Sequence, residues 1–221
     1  MKINGINVIV QRKKIKNMYL RVIHPEGTVK ISAPYFVSDE QIIEFVNSKM
    51  DWILKKQEQI ANKKYIPSLK YVNEEKHMLW GEEYTLQLIA NNIKTAFVEE
   101  NTIYLPVSKR SKMKNRQKTL EDFYRVELQR EIDSIYDKCT DIVGKKPSEI
   151  KIRKMKNWGN CKQNKVITLN LNLAKKPKIC LEYVLIHELC HLIEFNHSKK
   201  FKMLMDKNCP KWRGIKKILN E

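Results

Sequence analysis

Apolar and polar positions alternate over the first 34 residues, and a helical period follows. Residues 6–12 (INVIVQR) and 18–23 (MYLRVI) have the β-branched, alternating make-up of strands. HPEG at 24–27 predicts a turn and TVKISAP a third strand, so the start of the chain reads as a β-meander. Ser38 with Gln41 three residues on is a capping-box pattern. Ile42, Ile43, Val46, Met50, Ile53 and Leu54 then recur at helical spacing, predicting one long helix to about residue 60. Residues 61–75 are polar, contain Pro67 and read as a loop. Strand composition returns over 77–107, with EEN at 99–101 as a turn.

The basic run SKRSKMKNRQK (108–118) lacks periodicity and reads as a solvated linker, which places a domain boundary near residue 110. Leu120, Phe123, Tyr124, Leu128, Ile132, Ile135 and Tyr136 form the stripe of a long helix over 117–143, stopped by Gly144. EIKIRKM (149–155) predicts a short strand and KNWGNCKQNK a loop. VITLNLNL (166–173) alternates Ile167, Leu169, Leu171 and Leu173 against Thr168, Asn170 and Asn172, as a half-buried strand does. Pro177 suits the first turn of a helix over about 178–195. Ser198 caps another helix and Pro210 starts a last one. No internal repeat is visible in the sequence. The expected fold is α+β, with a β-rich region carrying one long helix (1–110) and a second domain (111–221).

Composition narrows the class. With 42% hydrophobic and 31% charged residues the chain reads as soluble and globular. No signal-peptide pattern follows the first charges and no apolar run approaches the ~20 residues of a membrane span, so a cytoplasmic protein without membrane association is expected. The five cysteines are odd in number and widely spaced, with no CxxC pair, which excludes a four-cysteine zinc knuckle. A formal net charge of +18 suits a polyanionic partner such as nucleic acid. Against that, 35 of the 43 basic residues are Lys, with plentiful Asn and Ile. An AT-rich coding bias produces the same mix, whereas phosphate and base recognition favours Arg.

HELCHLIEFNH, residues 187–197, holds three of the five histidines. Residues i and i+4 of a helix share one face, so His187 and His191 can present two imidazoles to one ion. Glu188 is rotated by ~100° from that face and is placed to take a proton from water beside the ion rather than to ligate it. This is the HExxH arrangement of two ligands and a general base. A third protein ligand is needed, and His197, beyond the turn-tolerant Asn196, is favoured over Glu194, which a straight helix carries too far along. The flanks YVLI and LCHLI are apolar, and burying two imidazoles and a carboxylate without partners is costly unless a metal is bound.

In order along the chain, Asn-Trp-Gly-Asn-Cys (157–161), Ile-Thr-Leu-Asn (167–170), YVLIHELCHL, Asn-His-Ser-Lys-Lys-Phe (196–201) and Pro-Lys-Trp-Arg (210–213) resemble the YgjP-like metallopeptidases, relatives of the SprT and WLM groups of small zincin-fold proteins. The N-terminal PEGTVKISAP and DWILKK resemble the first part of that family. Asn160 stands where the family usually has Ser, and Lys202 where it usually has an aromatic residue. The resemblance implies a zincin-like C-terminal domain, Zn2+ on His187, His191 and His197, Glu188 as catalytic base and a peptide or protein as substrate. The strand 166–173 would border the cleft and pair with an extended substrate, placing Asn170 and Asn172 at its rim and Trp158 as a substrate contact or packing residue. Tyr183, Asn157 and Arg153 are candidates for the second oxyanion donor. Two other readings stand beside this one. A YbeY-type metal-dependent endoribonuclease shares the H-x3-H-x5-H spacing but generally lacks a glutamate after the first His. A nucleic-acid-associated zinc protein would bind through the N-terminal region and residues 108–118.

Overall fold

Two-residue turns in the left-handed region set the strand pairings. Asn4–Gly5 (φ 45° and 81°) and Trp80–Gly81 (φ 52° and 88°) each close a tight hairpin, the backbone choice that matches the right-handed twist of the paired strands. The computed structural model describes residues 1–23, 26–61, 69–90, 95–108 and 110–220. Residues 24–25 of the expected first turn, 62–68 of the polar loop and 109 of the basic run lie outside those described.

The chain divides into two units, Met1–Ser68 and Leu69–Glu221. In the first, β1 (Lys2–Ile3), β2 (Ile6–Lys13), β3 (Tyr19–Ile23) and β4 (Thr28–Pro34) form a sheet in the order β1-β2-β4-β3. The expected meander is therefore corrected: β2 pairs with β4 in parallel rather than with β3. The Ser38 capping box is present, but the single long helix expected after it is two helices, α1 (Asp39–Asn47) and α2 (Met50–Ala61). Ser48 ends α1, its hydroxyl donating back to the Phe45 carbonyl. Val8, Val29, Ile31, Ile42, Val46 and Ile53 form the core of this unit.

The boundary expected near residue 110 is also displaced. β5 (Lys76–Leu79), β6 (Glu82–Ile89), β7 (Phe97–Glu99) and β8 (Thr102–Pro106) belong to the second unit, because Leu79, Leu86, Ile103 and Leu105 are buried in one core with Leu120, Leu128, Leu169 and Leu185. Their order, β5-β6-β8-β7, repeats the topology of the first sheet, with a tight hairpin, a parallel central pair and an antiparallel last strand. α3 (Met113–Val143) crosses this core and ends on Gly144 (φ 71°), whose N–H donates to the Thr140 carbonyl.

A third sheet, β10-β11-β9, consists of β9 (Glu149–Arg153), β10 (Gly159–Cys161) and β11 (Val166–Asn170). The strand expected over 166–173 stops at Asn170, where the Asn170 side chain accepts from the Asn172 N–H and a 3-10 helix, Leu171–Lys175, takes over. Three helices complete the unit: α4 (Lys178–Cys190), α5 (Lys199–Asn208) and α6 (Trp212–Asn220). The result is a mixed α+β protein. No helix among the described residues is long and apolar enough to cross a membrane.

Candidate metal centre

α4 is apolar around most of its circumference, from Cys180 to Cys190, and is buried accordingly. Its start is fixed by the β5–β6 hairpin. The Trp80 N–H donates to the Ala174 carbonyl, and Gly81 lies so close to Pro177 that a Cβ would stand 2.8 Å from the proline Cγ. The helix ends at His191, not near residue 195 as the pattern predicts. Its last bonds tighten to the 3-10 form, Leu192 to Leu189 and Ile193 to Cys190, and the chain reverses at once. Asn196 lies in the turn between α4 and α5 without a left-handed backbone. Ser198 caps α5 by accepting from the Phe201 N–H.

That reversal brings the three imidazoles together. Ring centroids of His187, His191 and His197 are 4.8–5.1 Å apart, and one ligand atom from each lies within 4.8 Å of the others. The Nε2 atoms of His187 and His197 are 3.1 Å apart, near the ~3.3 Å between two nitrogens 2.0–2.1 Å from a tetrahedral ion. His191 Nδ1 donates to the Glu194 carbonyl at 3.0 Å, which orients the ring and leaves its Nε2 free to ligate. Glu194 therefore contributes its main chain to the centre, while its carboxylate turns to Lys200. Phe201 closes the back of the cluster with its ring 4.5–4.9 Å from all three imidazoles.

The donors fit a divalent cation. His187 Nδ1 and Glu188 Oε2 are buried and have no partner among the described residues. Burial, and then the neighbouring imidazoles His191 and His197, push His187 down to about 3, and burial lowers His191 as well. Burial thus favours the neutral form of these two imidazoles, the form that ligates. Burial raises Glu188, only 4% exposed, to about 8.

Glu188 is covered by β10. A Cβ on Gly159 would sit 2.4 Å from Glu188 Oε1, so the carboxylate occupies the space that any other residue's side chain would need. Two cavities flank the centre and share Asn157, Gly159, His187, Glu188 and His197. The larger, about 490 Å3, is walled by Trp158, Tyr183 and Leu219. The smaller, about 240 Å3, is walled by Asn160, Cys161 and Phe195. Tyr183 is pushed up to about 12 by burial and keeps its hydroxyl proton. Of the three expected oxyanion donors, Tyr183 and Asn157 line the larger cavity; Arg153 lines neither.

A YgjP-like metallopeptidase domain matches residues 16–221 of the chain. The chain belongs to the YgjP-like metallopeptidase family. Peptides or proteins are therefore its class of substrate. No curated protein matches it. A crystal structure of the metallopeptidase zymogen abylysin from Pyrococcus abyssi is similar over 40% of this chain and 90% of that one, at 24% identity and a TM-score of 0.37.

The expected site residues separate in space. His187, Glu188, His191 and His197 converge, and Trp158 lines the larger cavity with its Nε1 donating to Asn220 Oδ1. Asn170 and Asn172 do not reach the cleft as expected. Asn170 is 3% exposed and its amide donates to the Met155 and Asn157 carbonyls, so it pins the loop that carries Trp158. Asn172 lines neither cavity. The expected strand edge is corrected too, since β11 has β10 on one side and β9 on the other. Two contributors have no role that the sequence predicts, Gly159 and Phe201. Both sit inside the family motifs, but a hydrogen-sized side chain and a lone aromatic give no signal until the carboxylate and imidazoles are placed beside them.

Proposed function

We propose that this family member is a zinc-dependent peptidase in which His187, His191 and His197 hold the ion and Glu188 is the general base. The observation that carries the proposal is the buried Glu188 carboxylate, without a partner among the described residues, beside three clustered imidazoles. When bound, zinc supplies Lewis acidity, acidifying water and polarising the scissile carbonyl. A cation held by the imidazoles would favour the ionised form of Glu188 against burial, and in that form it takes the proton of the attacking water and passes it to the leaving amine. Tyr183, protonated and on the wall of the larger cavity, is the best-placed second donor to the developing oxyanion. An identity of zinc rather than another divalent ion rests on the all-imidazole donor set.

The substrate strand is assigned to β10. In its antiparallel pairing with β11, the Trp158 carbonyl accepts from Asn170 and the Lys162 N–H donates to Val166, so the main-chain groups of Gly159 and Cys161 face away from β11. They offer an extended peptide a free edge directly over Glu188. Glu188 also distinguishes this reading from a YbeY-type endoribonuclease, whose chemistry does not call for a carboxylate at that position.

Glu188→Gln should keep its metal by elemental analysis and lose roughly 10²–10⁴-fold in cleavage of an unfolded protein. Unchanged cleavage would remove Glu188 from the mechanism. Gly159→Ala should cost about 10²-fold with metal content intact, because the new methyl must displace the carboxylate. His197→Ala at full zinc occupancy would remove His197 as a ligand, and cleavage of RNA in place of protein would favour the ribonuclease.

A further inference from the structure

The first sheet has one face on its core and one open. Val8, Val10, Leu20, Val22, Val29 and Ile31 point inward. The strand register lays the other face out in rows: Ile9, Lys30 and Arg21 side by side, then Gln11, Ser32 and Tyr19, then Lys13 beside Pro34. No residue in these rows is acidic, and none of Lys13, Arg21 and Lys30 has an ion-pair partner among the described residues. Tyr19 is 52% exposed.

At the Lys13–Pro34 end the chain holds two aromatics out in solvent. Tyr35 is 70% exposed and Phe36 80%, although Pro34 before them and Val37 after them are buried. The turn between those anchors is braced. The Arg12 guanidinium donates to the Pro34 and Val37 carbonyls and pairs with Asp39 in the first turn of α1. Because β2 and β4 are parallel neighbours, ~4.8 Å apart, exposed Lys14 and Lys16 leave the sheet beside this turn. Apolar rings fixed in water on a buried, clamped frame are costly unless something covers them.

We infer that this open face and the Tyr35–Phe36 turn bind single-stranded nucleic acid. Exposed rings stack on bases of any sequence, and the surrounding cations track the phosphates. Four-stranded sheets with surface aromatics are a recurring platform for this. Gln11 and Ser32, between Lys13 and Tyr19, suit base edges and phosphates better than acyl chains, which sets a lipid surface aside as the favoured partner. The surface lies wholly within the first unit and does not depend on the metal chemistry.

Fluorescence anisotropy of the full chain with a labelled 20-nucleotide oligo(dT) or oligo(rU) tests the inference. Wild type should bind at 0.1 M salt. Tyr35→Ala/Phe36→Ala should weaken binding roughly tenfold or more with little change in salt dependence. Lys13→Glu/Lys14→Glu/Lys16→Glu should also weaken it and flatten the log–log salt slope by about 2, from ~0.7 per lost phosphate contact. Circular dichroism and zinc content should not change in either variant. No binding by wild type, or equal binding by the aromatic variant, would overturn the inference. Sedimentation with anionic phospholipid vesicles that needs Tyr35 and Phe36, while the oligonucleotides do not bind, would assign the face to a membrane surface instead.

Discussion

The two four-stranded sheets share a topology and differ in what they do with it. In the second, the hairpin tip is consumed by the fold: Trp80 bonds Ala174, Gly81 abuts Pro177, and Lys178 lies 5.5 Å from the centre of the Trp80 ring, so the sheet sets where α4, the helix of His187 and Glu188, begins. In the first, the same tip is nearly idle. A Cβ on Gly5 would meet nothing within 4 Å, and the Asn4 amide donates to that of Asn47. The strands end differently as well. Val107 after Pro106 packs on the core, whereas Tyr35–Phe36 after Pro34 stands in solvent. One copy of the motif is spent on positioning the helix that carries His187 and Glu188, and the other leaves Tyr35 and Phe36 exposed.

Truncating each core is the strongest way to break this contrast. Ile31 and Leu105 are each the fourth residue of their strand and fully buried. Either change to Ala should cost about 2–5 kcal/mol of the stability of its own unit. Leu105→Ala should also lower the temperature at which the metal is released, and Ile31→Ala should leave that temperature where it is. Equal shifts in both, followed with a zinc-binding dye during thermal unfolding, would mean that the two cores do not unfold separately.

The glycines sharpen the contrast at smaller scale. Gly5→Ala forces a Cβ into a left-handed turn in open space and should cost about 1–2 kcal/mol. Gly81→Ala adds a clash with Pro177 to the same strain and should cost about 2–5 kcal/mol. Denaturant midpoints of the two variants decide it, and equal losses would show that the hairpin tip does not set α4.

Much of the molecule is legible in its residues. The three-histidine cluster is, because three histidines at fixed spacing in an apolar frame have few other uses, and the Ser38 cap is, because its hydrogen bonds are local. The pairing of β2 with β4 is not. Adjacent strands with a turn between them look the same in sequence whether they form a meander or bracket a parallel partner. The repeat is hidden for a related reason: its common element is backbone geometry at 4–5 and 80–81, and Asn-Gly and Trp-Gly share only the glycine. α4 reads too long because its apolar run continues through Leu192 and Ile193 after the backbone has already turned at His191. Alternation puts Asn170 at the rim because it shows which face a side chain takes, and not that a loop folds over that face to meet it.

Acid should separate the two units last and least. Among the described residues the first unit buries no titratable side chain, while β5 of the second carries His77, 3% exposed, with Nε2 2.9 Å from Glu75. Burial lowers His77 below its ordinary value, although the Glu75 contact works against it. For Glu75, burial is outweighed by the N–H groups of Lys70 and Tyr71, at 2.6 and 2.7 Å, and by His77, so its carboxyl is lowered as well. A neutral histidine with a depressed folded pKa leaves the unfolded chain binding the extra proton. Its stabilising effect is complete above ~6.5 and declines as the pH falls from there towards the folded value. His77→Gln keeps a side chain able to donate to Glu75 and removes the titration. Between pH 7.5 and 5.5 the wild type should lose more stability than this variant. The metal site is common to both proteins, so the difference in urea midpoints isolates His77. Parallel pH profiles would place the acid sensitivity of the second unit at the metal centre alone.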